Sequence, residues 1–342
     1  MDTSIVAAII AGTLIFFLTK MKESEVECLK LRIERKQMTP QPRKWIGPNP
    51  SICEGTVLYT AFNEPLKINS FLGDHFLFMW YDATDAQGGR VTVKVYDNPY
   101  PSCEYVFQKE QDAARMLAHP GIVKIVGNGR IDGCPFSVFE NMAGGALRSW
   151  LQKIGNLTGS NILSVVRQVA DALDFAHERG IIHSDVQPAK VWLDPDPKGR
   201  VALAEFGVRQ AVNDVADPES PLPGGFYQYS APEQYSVPES RADERVDIYC
   251  FGVMCYELIA GIAPWSLPGR FDLKRSNDAP DIRTRRKDVP ESLALRLAQT
   301  LSRDPGARPC TAAAVLAGVE VEIVSLGPAR RRAATVSEGS PW

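Results

Sequence analysis

Residues 181–193 limit the possible folds of this chain more than any other stretch, because they change character twice within thirteen positions. Ile181 and Ile182 lead in with apolar, strand-like side chains, and His183-Ser184-Asp185 and Gln187-Pro188-Ala189-Lys190 make a polar turn. Val191-Trp192-Leu193 leave it apolar again. Such a segment comes out of a core, sets several polar groups at one rim and returns. Upstream, Ile162, Val165, Val166, Val169, Ala172, Leu173 and Ala176 recur at three- and four-residue steps, which predicts a helix over 161–177 with one apolar face. That helix delivers the chain to His183.

Further marks flank this turn in a fixed order. Alternating aromatic and apolar residues predict a hairpin over 66–95 that turns at Gly73-Asp74, and Thr92-Val93-Lys94-Val95 gives its last strand a lysine. Helix formers over 104–118 place Glu110 nine residues before His119-Pro120, and strands are expected at 122–126 and 136–139. Downstream come Ala204-Glu205-Phe206-Gly207, then Ala231-Pro232-Glu233, then Asp247 ahead of an apolar helix over 246–259. Arg308 lies between helices expected at 293–301 and 312–319.

In this order and spacing the marks resemble those of protein kinases, whose catalytic loop reads H-R-D-L-x-x-x-N. His183 and Asp185 match it, with Pro188 in the turn. The resemblance covers residues 66–319. It implies an α+β, bilobal protein-kinase fold, with a small β-rich lobe at 55–141 and a large, mainly helical lobe at 142–320.

The resemblance also implies roles. Lys94 stands for the phosphate-pairing lysine, Glu110 for its helix partner and Asp185 for the catalytic base. Gly73, Glu140 and Met142 join Lys94 as nucleotide contacts if a nucleotide binds, with Phe139 at the back of that pocket. His183, Glu233, Asp247 and Arg308 are implied to be structural, Glu233 pairing with Arg308. Departures cluster where catalysis needs the pattern. Ser184 replaces the Arg, Gln187 the usual Lys, Lys190 the metal-binding Asn and Glu205 the metal-binding Asp. His75 and Phe78 fill two glycine positions of the loop over the phosphates, where bare backbone is needed, and Phe226 replaces the usual Thr before Tyr229. The expectation is a pseudokinase without a metal site or cofactor, binding ATP weakly or independently of metal. An active serine/threonine-type kinase and a nucleotide-binding structural module without turnover are the alternatives.

Residues 3–19 carry no charge and predict a transmembrane helix about 25 Å long. Lys20, Lys22, Lys30, Arg32, Arg35 and Lys36 all follow it, which by the positive-inside rule makes a single-pass membrane protein with its kinase-like part in the cytoplasm. Residues 20–54 read as a juxtamembrane helix and a Pro-rich linker, and 321–342 as a disordered tail. Seven cysteines without C-x-x-C spacing indicate neither a zinc site nor a disulfide framework. The formal charge of −3 speaks against nucleic acid as a partner. The expected partners are the membrane and another protein, an active kinase being one candidate.

Overall fold

The computed structural model describes residues 52–75, 78–96, 102–215, 228–235, 243–265 and 277–329. The expected membrane helix and nearly all of the juxtamembrane segment lie outside these residues. Among the described residues no helix is long and apolar enough to cross a membrane.

The amino-terminal part is an antiparallel sheet of six strands: β1 (Val57–Tyr59), β2 (Pro65–His75), β3 (Phe78–Thr84), β4 (Arg90–Val95), β5 (Ile125–Ile131) and β6 (Cys134–Glu140). Their order across the sheet is β1-β2-β3-β4-β6-β5, and a bridge from Thr60 to Gly129 brings the end of β1 back beside β5. Alternation along β3 and β4 decides what faces inward. Met79, Tyr81, Ala83, Val91, Val93 and Val95 join Leu66, Ile68, Phe136 and Val138 in the small-lobe core, while Phe78, Trp80 and Lys94 take the opposite face. Helix α1 (Ser102–Met116) covers that face, and Gln111 donates to Ser137 of β6 at 2.8 Å.

Three boundaries differ from the sequence reading. Gly73 and Asp74 are not the hairpin turn but ladder residues paired with Trp80 and Met79, and a register shift between Phe71 and Gly73 lets the glycine sit in the strand as at a bulge. The linker ends earlier than residue 54, because Ile52 is buried in the small-lobe core. The expected tail from 321 instead begins with a helix.

The large lobe starts after Glu140. It holds β7 (Gly145–Ala146), α2 (Leu147–Lys153), α3 (Gly159–His177), β8 (Val191–Asp194), β9 (Arg200–Leu203) and α4 (Val208–Val215). Then come α5 (Arg245–Ala260), α6 (Glu291–Thr300), α7 (Ala312–Leu316) and α8 (Glu320–Ser325). Helix α3 is capped by Thr158, whose hydroxyl accepts from the Asn161 N–H, and buries the face read from its periodicity. Helix α5 is buried on every side from Val246 to Ile259, as expected of a helix that is apolar all round. Each fully buried Leu, Ile or Val there contributes about 1.5–3 kcal/mol. Helix α8 packs against α3 and buries Ile323, with Leu326 buried just beyond it, and this apolar pair is why the tail does not begin at 321.

Two buried ionic groups tie this lobe together. The Asp247 carboxylate, fully buried on α5, accepts from the backbone N–H of His183 at 2.8 Å and of Ser184 at 2.6 Å, and bonds His177 Nε2 at 2.8 Å. Arg308 forks onto both oxygens of Glu233 at 2.6 and 2.9 Å and also donates to the carbonyls of Arg245 and Ser302. Glu233→Ala leaves the buried Arg308 cation without its carboxylate, a loss of about 3 kcal/mol. A clearly lowered thermal midpoint is the expected outcome. An unchanged midpoint would show that the fork adds nothing to stability.

Candidate functional site

The cleft between sheet and helices gathers the expected site residues. Strand β4 sets Lys94 directly opposite Trp80 of β3, and α1 sets Glu110 above it. Lys94 Nζ lies 2.8 Å from Glu110 Oε1 and 3.6 Å from Glu205 Oε2, and is fully buried. The rings of Phe78, Tyr96 and Trp80 stand 4.0, 5.0 and 5.3 Å from the same ammonium, within cation–π range. The Phe78 ring thus lies directly against the Lys94 ammonium. The side chain of His75 lies outside the described residues. Burial pushes the Glu110 carboxyl above its usual range, with Lys94 opposing and Glu205 reinforcing the shift.

Below the cleft, the polar turn hangs from Asp247. His183 Nδ1 accepts from the Asp185 N–H at 3.2 Å, which leaves the proton on Nε2 to donate to the Ala204 carbonyl at 2.8 Å. Its ring meets Phe206 edge-on at 4.7 Å. Both ring nitrogens are therefore engaged within the large lobe. Ser184 sits in the left-handed region at φ 63°, and its carbonyl accepts from Gln234 Nε2 at 3.0 Å. Asp185 accepts from Gln187 Nε2 at 2.7 Å, and burial pushes its carboxyl upward while Lys190 opposes the shift.

Lys190 and Glu205 meet. The Lys190 ammonium lies 2.8 Å from each Glu205 oxygen, and Glu205 holds an uncommon left-handed conformation at φ 70° to present them. Gly207 follows at φ 79°, where an added Cβ would come within 2.8 Å of the Lys109 carbonyl, so the chain passes directly beneath α1. Helix α4 then packs Val208, Ala211 and Val212 among Phe78, Tyr105, Val106 and Phe107, and the Tyr105 hydroxyl donates to Asp214 at 3.0 Å. Glu110, Lys94, Glu205 and Lys190 form a buried row of alternating charge.

Magnesium takes oxygen ligands, which in protein kinases come from the carboxylate and the Asn at these two positions. An ammonium has no lone pair to offer, and Lys190 directs its protons at the other ligand position. The residues present do not fit a metal ion. Among the described residues no group of three or more His, Cys, Asp or Glu side chains could hold one.

At the hinge, the Glu140 side chain is held by the chain itself. Its carboxylate accepts from Arg200 of β9 at 2.6 and 2.9 Å and from the Lys124 N–H at 2.8 Å. Burial works to raise its pKa, yet these donors outweigh burial and hold it below the ordinary value. Met142 is buried beside Trp80 and Trp192, while Gly73 stays in the β2 ladder. Sequence reasoning missed Arg200 and both tryptophans as parts of this site. The aromatic alternation of 76–81 and the Val-Trp-Leu exit were the signals that carried Trp80 and Trp192, whereas nothing local marks Arg200.

A family model described as protein kinase domain matches residues 81–317. The chain belongs to the protein kinase domain family. Serine/threonine-protein kinase pkn3 of Myxococcus xanthus is 30% identical over 246 residues, which is 68% of this chain and 45% of pkn3. Serine/threonine-protein kinase PknA of Mycobacterium tuberculosis is 29% identical over 238 residues, 67% of this chain and 54% of PknA. The kinase-domain chain thus spans about half the length of these curated relatives. The crystal structure of Rad53 1-466 in complex with AMP-PNP superposes with a TM-score of 0.62 at 21% identity, covering 76% of this chain and 66% of that one, and shows the shared bilobal fold.

The buried charge row makes a stability prediction. Lys190→Met takes from the buried Glu205 the ammonium that bonds both of its oxygens and is expected to cost about 3 kcal/mol, read as a lowered urea midpoint. The double change Lys190→Met, Glu205→Gln removes both charges and should recover most of that loss. A double variant as unstable as the single one would show that the two side chains are not energetically coupled.

Proposed function

We propose that this protein is a pseudokinase, fixed to a membrane by residues 3–19 and acting in the cytoplasm as a scaffold or allosteric partner of another protein. An active kinase is the partner class we favour. The observation that carries this reading is the Lys190–Glu205 pair. Phosphoryl transfer depends on metal ions that bridge the transferred phosphates and neutralise their developing charge, and here a protein cation bonds the carboxylate at 2.8 Å. The Phe78 ring above Lys94 adds a second, independent obstacle at the phosphates. No cofactor is accordingly expected, any ATP that did bind would bind weakly or independently of metal, and nucleic acid is not an expected partner.

Serine/threonine kinase activity is the second reading, and the comparisons favour it. The relatives pkn3 and PknA are named serine/threonine-protein kinases. The Lys94–Glu110 bond is formed at 2.8 Å, and Asp185 keeps a carboxylate at the base position. We place the geometry of the metal positions above these likenesses, because an overall identity of 29–30% does not speak for the two positions that hold the metal.

Labelled ATP with a generic protein substrate separates the two. No transfer above background is expected with or without magnesium. Magnesium-dependent transfer at rates typical of protein kinases, about 1–100 per second, would overturn the pseudokinase reading in favour of the second. For the anchor, protease added to sealed inverted vesicles should digest the kinase-like domain, and right-side-out vesicles should protect it. The reverse pattern would overturn the cytoplasmic placement.

A further inference from the structure

The gap at the hinge, between the sheet above and β8 and β9 below, is filled by side chains of the chain itself. Trp80 reaches down from β3 and Trp192 up from β8, with ring centroids 5.3 Å apart and planes at 58°. Phe139, at the end of β6, closes the back at 5.4 Å from Trp80 and 6.2 Å from Trp192. Val123, Met142, Ala146, Ala202 and Ala204 complete a buried cluster, in which Trp80 is 5% and Trp192 7% exposed.

These distances are those of rings in contact. A flat base held between two ring faces needs two contacts of about 3.5 Å each, or about 7 Å in all, and the tilted indoles leave no such space. The position matters as much as the distance. Trp80 stands directly opposite Lys94 on the neighbouring strand, its ring 5.3 Å from the ammonium, and Trp192 follows the catalytic-type turn by two residues after Lys190. A nucleotide with its phosphates at Lys94 would have to lay its base between these two rings.

We infer that Trp80 and Trp192, backed by Phe139, are the specificity-determining residues of the cleft: they occupy the base slot, exclude purine nucleotides and join the two lobes by a dry aromatic contact. The inference rests on the pseudokinase reading for the meaning of the cleft, but it concerns the base slot and not the metal positions. Removal of one indole opens a flat apolar slot for planar heteroaromatic molecules. No metal takes part in such binding.

Thermal melting with adenosine or indole at millimolar concentration, in the presence of a chelator, tests this on the full chain. Wild type is expected to show no shift with either molecule. Trp192→Ala should melt lower by on the order of 10 °C, and either molecule should restore several degrees of that loss. Should the alanine variant fail to fold, Trp192→Leu keeps most of the buried volume, and a shift with adenosine that wild type lacks is again expected. An adenosine shift in wild type as large as in the variants would overturn the inference, as would a Trp192→Ala midpoint equal to that of wild type. So would the absence of any ligand shift in both Trp192 variants. Because adenosine carries no phosphate and the chelator removes metal, a wild-type adenosine shift would leave the pseudokinase reading standing. Magnesium-dependent phosphoryl transfer from ATP by the wild type would overturn both, because a purine nucleotide would then enter the slot that the rings are inferred to fill.

Discussion

The buried carboxylate of Asp247 is the fixed point of this molecule. It lies within the central helix of the large lobe, where an ionised group without donors would be severely destabilising. Two backbone N–H groups of the turn and one imidazole satisfy it, at 2.6 to 2.8 Å. The turn is thereby pinned at His183 and Ser184, and everything after it inherits that placement. Asp185 is aimed into the cleft, Lys190 toward Glu205 and Trp192 toward Trp80. The left-handed backbone at Ser184 is the local strain that this anchoring sustains.

Above the turn, the cleft is stabilised in a way that suits a dry interior. Glu110, Lys94, Glu205 and Lys190 alternate in sign, so the row carries no net charge, and each ammonium meets at least one carboxylate oxygen at 2.8 Å. One polar atom is left over, since Glu110 Oε2 is buried without a hydrogen-bond partner. The raised pKa of Glu110 has the same origin as that imperfection, burial beyond what Lys94 alone compensates. Phe78, Trp80 and Tyr96 then enclose the Lys94 ammonium and keep water from the row.

The site residues fall into two groups by the kind of force that places them. Glu233, Arg308, His183 and Asp247 serve packing and backbone satisfaction, and each bonds partners within the large lobe. Lys190, Glu205, Phe78, Trp80 and Trp192 gather at the cleft, where Lys190 bonds Glu205, Trp80 meets Trp192, and Glu205, Phe78 and Trp80 all lie against Lys94. Interactions that close a cleft from within compete with any ligand that would enter it. This is the physical content of the contrast between a chain whose relatives are named kinases and a cleft in which Lys190 bonds Glu205 and Trp80 meets Trp192.

Much of the fold was legible in the sequence, because it rests on local periodicity and on ordered spacing. The apolar steps of residues 161–177 and the uniformly apolar run after Asp247 dictate buried helices whatever surrounds them. Lys94 paired with Glu110, and Glu233 with Arg308, follow from the order of the marks along the chain. The replacement of a metal ligand by Lys190 could likewise be read directly. What only the tertiary structure decided lies in contacts between residues far apart in sequence. Glu205 turns both oxygens to Lys190, Arg200 takes the hinge carboxylate of Glu140, Ile52 and Ile323 enter cores beyond the expected boundaries, and Trp80 meets Trp192 across the lobes. Periodicity states which face of an element is apolar, but which apolar faces meet depends on how the two lobes close, and no local pattern in the chain encodes that distance.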